Sequence, residues 1–361
     1  MKSLTFTRFF GSVVTQALLF LPLSASAQSG QATDFSGLSG GSGGGGGGLG
    51  GGRFASGSTG ARSFSSLSDD QKQRLLERFR QKRGRRSALS AAEQPGNAAD
   101  VAVRRDIAYG KAPLEKLDIY TAKDMTGKPA MPILIFAHGG GWYRGDKMLG
   151  DHENKSCSYV GEGVIFVSVD YRLAPDVVHP KEVEDIAAAI AWVKNHAREF
   201  NGDPDRIFLM GHSAGAHLVD LVATNDKYLQ ATGLSLADIK GVISLDTASL
   251  DLTDRLKEGS FESKLVGPMI VRAFGTNPAV LKDASPTLNL EKGKNYPPFL
   301  MFCGSQRVSC VEQHAKFARR LQALGGQVTV RSVPLSHGDI NRASGLPSNE
   351  IYKECLQMIK S

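Results

Sequence analysis

The sequence predicts an α/β fold with a mainly parallel central sheet and helices on both of its faces. Two continuous apolar runs, Pro132 to Ala137 and Val164 to Val169, are rich in the residues of strands that are buried on both faces. Amphipathic helical segments, from about Val183 to Asn195 and from Val311 to Leu324, alternate with such strands. This alternation is typical of a parallel sheet, and 361 residues suffice for one large domain of this class.

The remaining elements follow in chain order. Residues 104–109 and 116–121 alternate between apolar and polar side chains and predict an edge hairpin. Further buried strands are expected at 207–210, 242–245, 298–302 and 328–333, and a terminal helix is expected at 350–359. The α/β domain as a whole is expected to cover residues 99–361.

Residues 1–27 have the pattern of a secretory signal. Lys2 and Arg8 precede an apolar core, Val13 to Leu23, and Ala25-Ser26-Ala27 ends the segment with a cleavage site after Ala27. We expect export to the periplasm or the medium, because an uncleaved anchor would need a longer apolar run. Residues 28–66 are a Gly/Ser-rich linker in which Gly37 to Gly52 holds 12 of the 41 glycines, and we expect it to be disordered.

Residues 67–98 predict a basic helical arm with Ser68 as its N-cap. Residues 69–86 carry a net charge of +5, which equals the formal charge of the chain once the two basic residues of the signal are removed from its +7. The α/β domain is therefore close to neutral. The arm is compatible with weak contact to an anionic surface or with a solvated helix, and its lack of interleaved aromatics argues against a nucleic-acid partner.

The segment Gly211-His212-Ser213-Ala214-Gly215 joins a short buried strand to a helix of small residues. A serine at such a sharp strand-to-helix turn adopts a strained backbone conformation that exposes its hydroxyl group. Ser213 would also lie at the N-terminus of a helix, where free N–H groups favour a developing negative charge. These features predict a nucleophile.

A second apolar strand runs into His138-Gly139-Gly140-Gly141-Trp142. Successive glycines allow backbone N–H groups to approach a ligand oxygen, as an oxyanion hole requires. We therefore expect the N–H groups of Gly139, Gly140 and Ala214 to bind an oxyanion.

Together these segments resemble the α/β-hydrolase superfamily, in particular its hormone-sensitive-lipase-like and bacterial feruloyl-esterase-like carboxylesterases. The resemblance covers about residues 100–360 and includes three further stretches, Leu117 to Tyr120, Asp170 to Pro175 and Asp203 to Ile207. It implies the α/β-hydrolase fold, an acyl-enzyme, a Ser-His-acid triad and no cofactor or metal. The histidine that follows the last strand of this family corresponds to His337, whereas His217 is expected to be structural.

The acid departs from the family pattern. The usual loop, Gly304 to Cys310, holds no carboxylate, and Arg307 stands where an aspartate is expected. Asp246, which ends a predicted strand, is the preferred replacement. The alternatives that stay open at this point are Asp339, Asp251 and Glu312.

The four cysteines are Cys157, Cys303, Cys310 and Cys355. Export would allow a disulfide to persist, and a Cys303–Cys310 bridge could close the loop that lacks its carboxylate. Four free buried thiols are the alternative.

The leading functional hypothesis is an exported serine esterase that acts on a small-molecule ester. An amidase or arylformamidase with the same catalytic groups is the nearest alternative. A hydrolase-fold binding protein that has lost catalysis is the alternative from another class, and the missing loop carboxylate is the feature in its favour. The oligomeric state and the acyl and alcohol specificity are not encoded in any pattern of the sequence.

Overall fold

A computed structural model describes residues 100–149 and 154–361 of the chain. The predicted signal, linker and basic arm, residues 1–98, lie outside the described residues. Within the described ranges, no helix is both long enough and apolar enough to cross a membrane.

An eight-stranded sheet forms the centre of the described region. Its strands are β1 (Val101–Ala108), β2 (Lys116–Ala122), β3 (Met131–Ala137), β4 (Ile165–Val169), β5 (Gly202–His212), β6 (Ile239–Leu245), β7 (Phe299–Gly304) and β8 (Val328–Val333). Their spatial order is β1-β2-β4-β3-β5-β6-β7-β8. The β1–β2 and β2–β4 pairs are antiparallel, and the other five pairs are parallel. The predicted mainly parallel sheet is confirmed, and β1 of the predicted hairpin is its edge strand.

Helices cover both faces of the sheet. They are α1 (Lys155–Gly161), α2 (Lys181–His196), α3 (Ala214–Val222), α4 (Lys227–Gln230), α5 (Leu252–Lys257), α6 (Phe261–Phe274), α7 (Pro278–Asp283), α8 (Val308–Ala323), α9 (His337–Ala343) and α10 (Glu350–Lys360). Short 3₁₀ helices lie at Ala197–Phe200, Leu236–Asp238 and Pro286–Asn289.

Two apolar cores separate the sheet from these helices. One core joins the sheet to α2, α3 and α8, and the other joins it to α1 and α10. All five residues of β4 are buried because the strand faces a core on each side. The alternation of strands and helices thus positions the carboxyl ends of β3, β5, β6, β7 and β8 along one edge of the sheet.

The helices α5, α6 and α7 were not predicted from the sequence. The longest of them, α6, contains Pro268 in its interior, which weakens the helical pattern over its central turns. Ser260 caps this helix, and its side chain accepts a hydrogen bond from the N–H of Ser263. Tertiary packing rather than periodicity therefore determines the segment between β6 and β7.

Candidate active site

Ser213 occupies a strained backbone position between β5 and α3. Its φ of 56° and ψ of −114° form a combination that is disfavoured for a residue with a Cβ atom. Two hydrogen bonds hold the turn: the N–H of Ser213 donates to the carbonyl of Leu245 at 3.0 Å, and the carbonyl of Ser213 accepts from Ala248 at 3.1 Å. Because α3 begins at Ala214, the serine is placed at the positive end of that helix.

The glycines on either side of Ser213 permit close contacts between backbone segments. A Cβ atom at Gly211 would lie 2.4 Å from the carbonyl oxygen of Gly215. A Cβ atom at Gly215 would lie 2.2 Å from the carbonyl oxygen of Ala137, at the end of β3. Side chains at these two positions would push the helix away from the sheet and open the turn.

The glycine loop that follows β3 lies directly against this turn. A Cβ atom at Gly139 would be 3.2 Å from Cβ of Ser213. Within residues 100–149 and 154–361, the N–H groups of Gly139, Gly140 and Ala214 have no hydrogen-bond acceptor. All three predicted donors are therefore near the serine and available to a ligand.

Buried aromatic rings fix the loop. The ring of His138 stacks on Tyr171 with centroids 4.4 Å apart, and the hydroxyl of Tyr171 donates to the carbonyl of His138 at 2.9 Å. Burial lowers the pKa of His138 to about 4, so its imidazole is neutral near pH 7. Trp142 donates from Nε1 to Nδ1 of His217 at 3.2 Å. His217 in turn donates from Nε2 to the carbonyl of Ala284 at 2.8 Å, which agrees with the structural role expected for it.

His337 and Asp246 form a close pair. His337 is the first residue of α9, and its Nδ1 lies 2.5 Å from Oδ2 of Asp246. The aspartate side chain is fully buried, whereas that of His337 is 41% exposed. A carboxylate at this distance fixes the tautomer in which Nδ1 carries the proton and Nε2 is free to accept one.

Asp246 remains ionised in spite of its burial. Burial by itself raises the pKa of its carboxyl group, but the hydrogen bond from His337 and the positive charge of Arg307 outweigh that effect. The pKa of Asp246 is consequently held well below its ordinary value. The backbone N–H of Gly304 adds a hydrogen bond to Oδ1 at 3.0 Å.

The pair lies next to the serine turn. The rings of His337 and His212 are 4.5 Å apart, and Nε2 of His212 donates to the carbonyl of His337 at 3.1 Å. His212 immediately precedes Ser213 in the chain. The structure therefore brings Ser213, His337 and Asp246 into one cluster at the carboxyl edge of the sheet.

The other candidate acids have different partners. Asp339 binds Ser336 and Arg342 in its own helix. Asp251 caps α5 and accepts from Lys316 at 2.9 Å. Glu312 lies on an exposed face of α8. The carboxylate that hydrogen-bonds to Nδ1 of His337 is therefore that of Asp246.

Arg307, to which the sequence assigned no role, contacts both members of the pair. Its guanidinium group forms an ion pair with Oδ2 of Asp246, and Nη1 lies 3.2 Å from Nδ1 of His337. The signal in the sequence was the substitution of a cation for the expected acid, but only the fold shows what it contacts.

The four cysteines are free thiols, so the bridge considered between Cys303 and Cys310 is not formed. The thiol of Cys310 instead donates to Oδ1 of Asp246 at 3.4 Å. Burial raises the pKa of Cys310 well above its ordinary value, which keeps the thiol protonated and able to donate.

The BD-FAE family model matches residues 117–321 of the 361-residue chain. The chain belongs to the BD-FAE family. The BD-FAE match contains Gly139, Gly140, Ser213 and Asp246 but ends before His337. It confirms the resemblance to carboxylesterases of the α/β-hydrolase superfamily.

Two curated proteins are similar to this BD-FAE member over about 240 residues. Esterase LipC of Mycobacterium tuberculosis is 34% identical over 246 residues, which are 65% of this chain and 59% of LipC. The probable isoprenylcysteine alpha-carbonyl methylesterase ICMEL1 of Arabidopsis thaliana is 32% identical over 242 residues, 63% of this chain and 49% of that protein. The chain thus spans only about half to three-fifths of the length of these relatives.

The fold is also found in solved structures. Esterase B from Lactobacillus Rhamnosis has a TM-score of 0.62 and 23% identity, and the match covers 80% of this chain and 93% of that chain. The protein accordingly has the α/β-hydrolase fold, with a mainly parallel sheet and helices on both faces.

Proposed function

We propose that the protein is a serine hydrolase that cleaves small-molecule carboxylic esters through an acyl-enzyme. The observation that carries the proposal is the strained Ser213, which is next to N–H groups that have no acceptor among the described residues and follows His212, the residue that packs on His337 of the His337–Asp246 pair. The names of the relatives, esterase and methylesterase, support the same class of substrate.

In the proposed first step, Oγ of Ser213 attacks the ester carbonyl and Nε2 of His337 accepts the hydroxyl proton. The N–H groups of Gly139, Gly140 and Ala214 stabilise the negative charge that develops on the carbonyl oxygen. Asp246 stabilises the imidazolium ion through Nδ1. Collapse of the tetrahedral intermediate breaks the bond to the alcohol oxygen, which receives the proton from His337 and leaves.

The second step returns the enzyme to its starting state. His337 accepts a proton from water, and the resulting nucleophile attacks the acyl-serine ester. The same N–H groups stabilise the second tetrahedral intermediate. The carboxylic acid is released when Ser213 regains its proton from His337. These steps require no cofactor and no metal ion.

The arrangement around Asp246 weighs against the hypothesis of a non-catalytic binding protein. That hypothesis depended on the missing carboxylate of the loop from Gly304 to Cys310. Asp246 supplies a carboxylate to the same histidine from the end of β6. An N-formyl aryl amide, included beside aryl esters of graded acyl length, distinguishes the arylformamidase alternative from an esterase.

A fluorophosphonate probe tests the proposal. We expect the wild-type protein to be labelled on the peptide that contains Ser213 and to hydrolyse aryl esters. The Ser213→Ala variant should be folded but should neither be labelled nor turn over ester. If that variant is labelled and hydrolyses esters at the wild-type rate, Ser213 is not the nucleophile.

We also propose that the chain is exported and that the signal is removed after Ala27. The support is the sequence pattern of residues 1–27. Expression of the full chain in a Gram-negative host, followed by N-terminal mass spectrometry of each cell fraction, should find a chain that starts at Gln28 in the periplasm or the medium. A chain that is found only in the cytosol with Met1 retained would contradict export.

A further inference from the structure

We propose that Arg307 is a positioning residue for the reaction, which holds the Asp246 carboxylate toward His337 and places a permanent positive charge beside that histidine. The inference rests on the proposed function, since it assigns a role around the same serine. It gives a role to the cation that stands where the family pattern has an aspartate.

The first part of the argument is the hydrogen bonding of Asp246. Oδ1 accepts from the N–H of Gly304 at 3.0 Å and from the thiol of Cys310 at 3.4 Å. Oδ2 accepts from Nδ1 of His337 at 2.5 Å and from the guanidinium of Arg307. Both oxygens are therefore engaged by two donors each, and rotation of the carboxylate would break bonds on both sides.

The second part is that Arg307 and His337 share one acceptor. Nδ1 of His337 carries a proton that it donates to Oδ2 of Asp246. Nη1 of Arg307 lies 3.2 Å from Nδ1, but a guanidinium group is also a donor, so these two nitrogen atoms do not hydrogen-bond to each other. The two groups are held together by the carboxylate between them. When the imidazole becomes a cation, it meets the permanent positive charge of the guanidinium group at close range.

The third part is the burial of this arrangement. The Arg307 side chain is 20% exposed and the Asp246 side chain is fully buried, so water screens their charges poorly. The nearest further counter-charge is Glu262 of α6, whose Oε1 lies 3.7 Å from Nε of Arg307. Glu262 also pairs with Arg255, at 3.7 Å through Oε2, and therefore offsets only part of the charge of Arg307.

Other titratable groups near His337 also affect the electrostatic environment of the histidine, but they do not take the place of Arg307. His212 packs against its ring, and burial lowers the pKa of His212 well below its ordinary value, so that it is uncharged. On α9 itself, the charges of Asp339 and Arg342 pair with each other. In residues 100–149 and 154–361, the titratable and charged groups around the histidine and its partners are Asp246, Arg307 and His212, Cys310 and Glu262 next to Asp246 and Arg307, Asp339 and Arg342 on α9, and Lys155, whose Nζ donates to the carbonyl of Asn341 on α9.

The consequence of this arrangement should be visible in how the activity depends on pH when the charge of Arg307 is removed. The acid limb of kcat/KM reports protonation of the base in the free enzyme. Removal of a like charge at this distance should move that limb to higher pH by about one unit. At pH values on the acid side of this limb, a variant with an uncharged residue at position 307 should therefore lose about tenfold in kcat/KM relative to wild type. At higher pH, where kcat/KM no longer changes with pH, the loss should be smaller.

The experiment compares four variants on one neutral aryl ester from pH 4.5 to 9. Arg307→Met and Arg307→Gln remove the charge, and Arg307→Lys retains it. Arg331→Met is the matched control. Arg331 lies on β8, and its half-exposed side chain pairs with Glu354 of α10 rather than with Asp246 or His337. The rate constant for fluorophosphonate labelling of Ser213 is measured over the same pH range, since it depends on the first step alone.

We expect the acid limb of both neutral variants to move to higher pH in turnover and in labelling, while Arg307→Lys and Arg331→Met remain close to wild type. The Gln variant covers the case in which the Met variant does not fold. An unchanged limb in either folded neutral variant, a shift to lower pH, or a loss of equal size at every pH would overturn the proposal. If the wild type itself neither turns over ester nor reacts with the probe, the proposed function fails, which is a separate outcome.

Discussion

The substitution Asp246→Asn is the sharpest test of the candidate triad, because it changes one oxygen to an NH₂ group and leaves the shape unchanged. Gly304 donates to Oδ1 from a fixed backbone position, so the remaining carbonyl oxygen of the amide should occupy that site. The amide nitrogen then takes the place of Oδ2 and faces two donors, Nδ1 of His337 and the guanidinium of Arg307. To relieve this conflict, His337 must place its proton on Nε2 and can no longer accept one from Ser213.

The expected loss follows from that tautomer. In a well-studied serine protease, the same change from carboxylate to amide lowers kcat by about 10⁴, which corresponds to about 5.5 kcal/mol of transition-state stabilisation. We expect a loss of comparable size here. The variant should also be less stable by about 3–5 kcal/mol, because Arg307 loses its buried ionic partner.

The assay is kcat on a single aryl ester at pH 8, with the fold of each variant checked by circular dichroism and thermal unfolding. Asp339→Asn and Glu312→Gln serve as controls, since Asp339 forms an ion pair with Arg342 and Glu312 lies on an exposed face of α8. If folded Asp246→Asn retains more than about a tenth of the wild-type kcat while one of the controls collapses, Asp246 is not the triad acid, since loss of a triad acid costs about 10⁴.

Three further predictions concern packing, the N-terminal region and pH. Gly215→Ala should lower the free energy of unfolding by several kcal/mol or prevent folding, because its methyl group would lie 2.2 Å from the carbonyl oxygen of Ala137 at the end of β3. Soluble expression and thermal unfolding measure this effect, and a variant as stable as the wild type would contradict it. A chain that starts at Ala99 should keep the wild-type kcat, since the omitted residues are predicted linker and arm; a large loss in a folded truncation would assign the arm to the site. His138 and His217 should each lower the free energy of unfolding by about 2 kcal/mol as the pH falls from 7 to 5, because the unfolded chain protonates them near 6.5 while burial lowers their folded pKa values to about 4 and about 3. Burial of Glu182 and Asp220 raises their pKa values to about 7 and acts in the opposite direction, so the test is NMR titration of the two imidazole rings in the folded protein; a ring that titrates near pH 6.5 would refute its neutral buried state.

Local patterns in the sequence were sufficient to predict the fold and the strained turn at Ser213. Apolar runs that continue for five or six residues specify strands buried on both faces, and the glycines around Ser213 specify a turn in which two backbone segments touch. These are short-range constraints, because each depends on residues that are neighbours in the chain. The succession of strands and helices along the chain and the position of the glycine loop follow from the same patterns, whereas His337 was singled out by the family resemblance.

The acid and its surroundings were decided by tertiary structure. Asp246 precedes His337 by 91 positions in the chain, and four carboxylates were compatible with the sequence until β6, β7 and β8 were aligned side by side. The role of Arg307 could not be predicted from the sequence, because the effect of a cation at this position depends on which carboxylate it binds. Similarly, Cys303 and Cys310 are close enough in sequence to suggest a bridge, but the fold directs the Cys310 thiol to Asp246. The sequence by itself thus determined the fold class and the family of the chain, whereas only the packing of distant strand ends determined which charges surround His337, because contacts across a sheet leave no periodic signal along the chain.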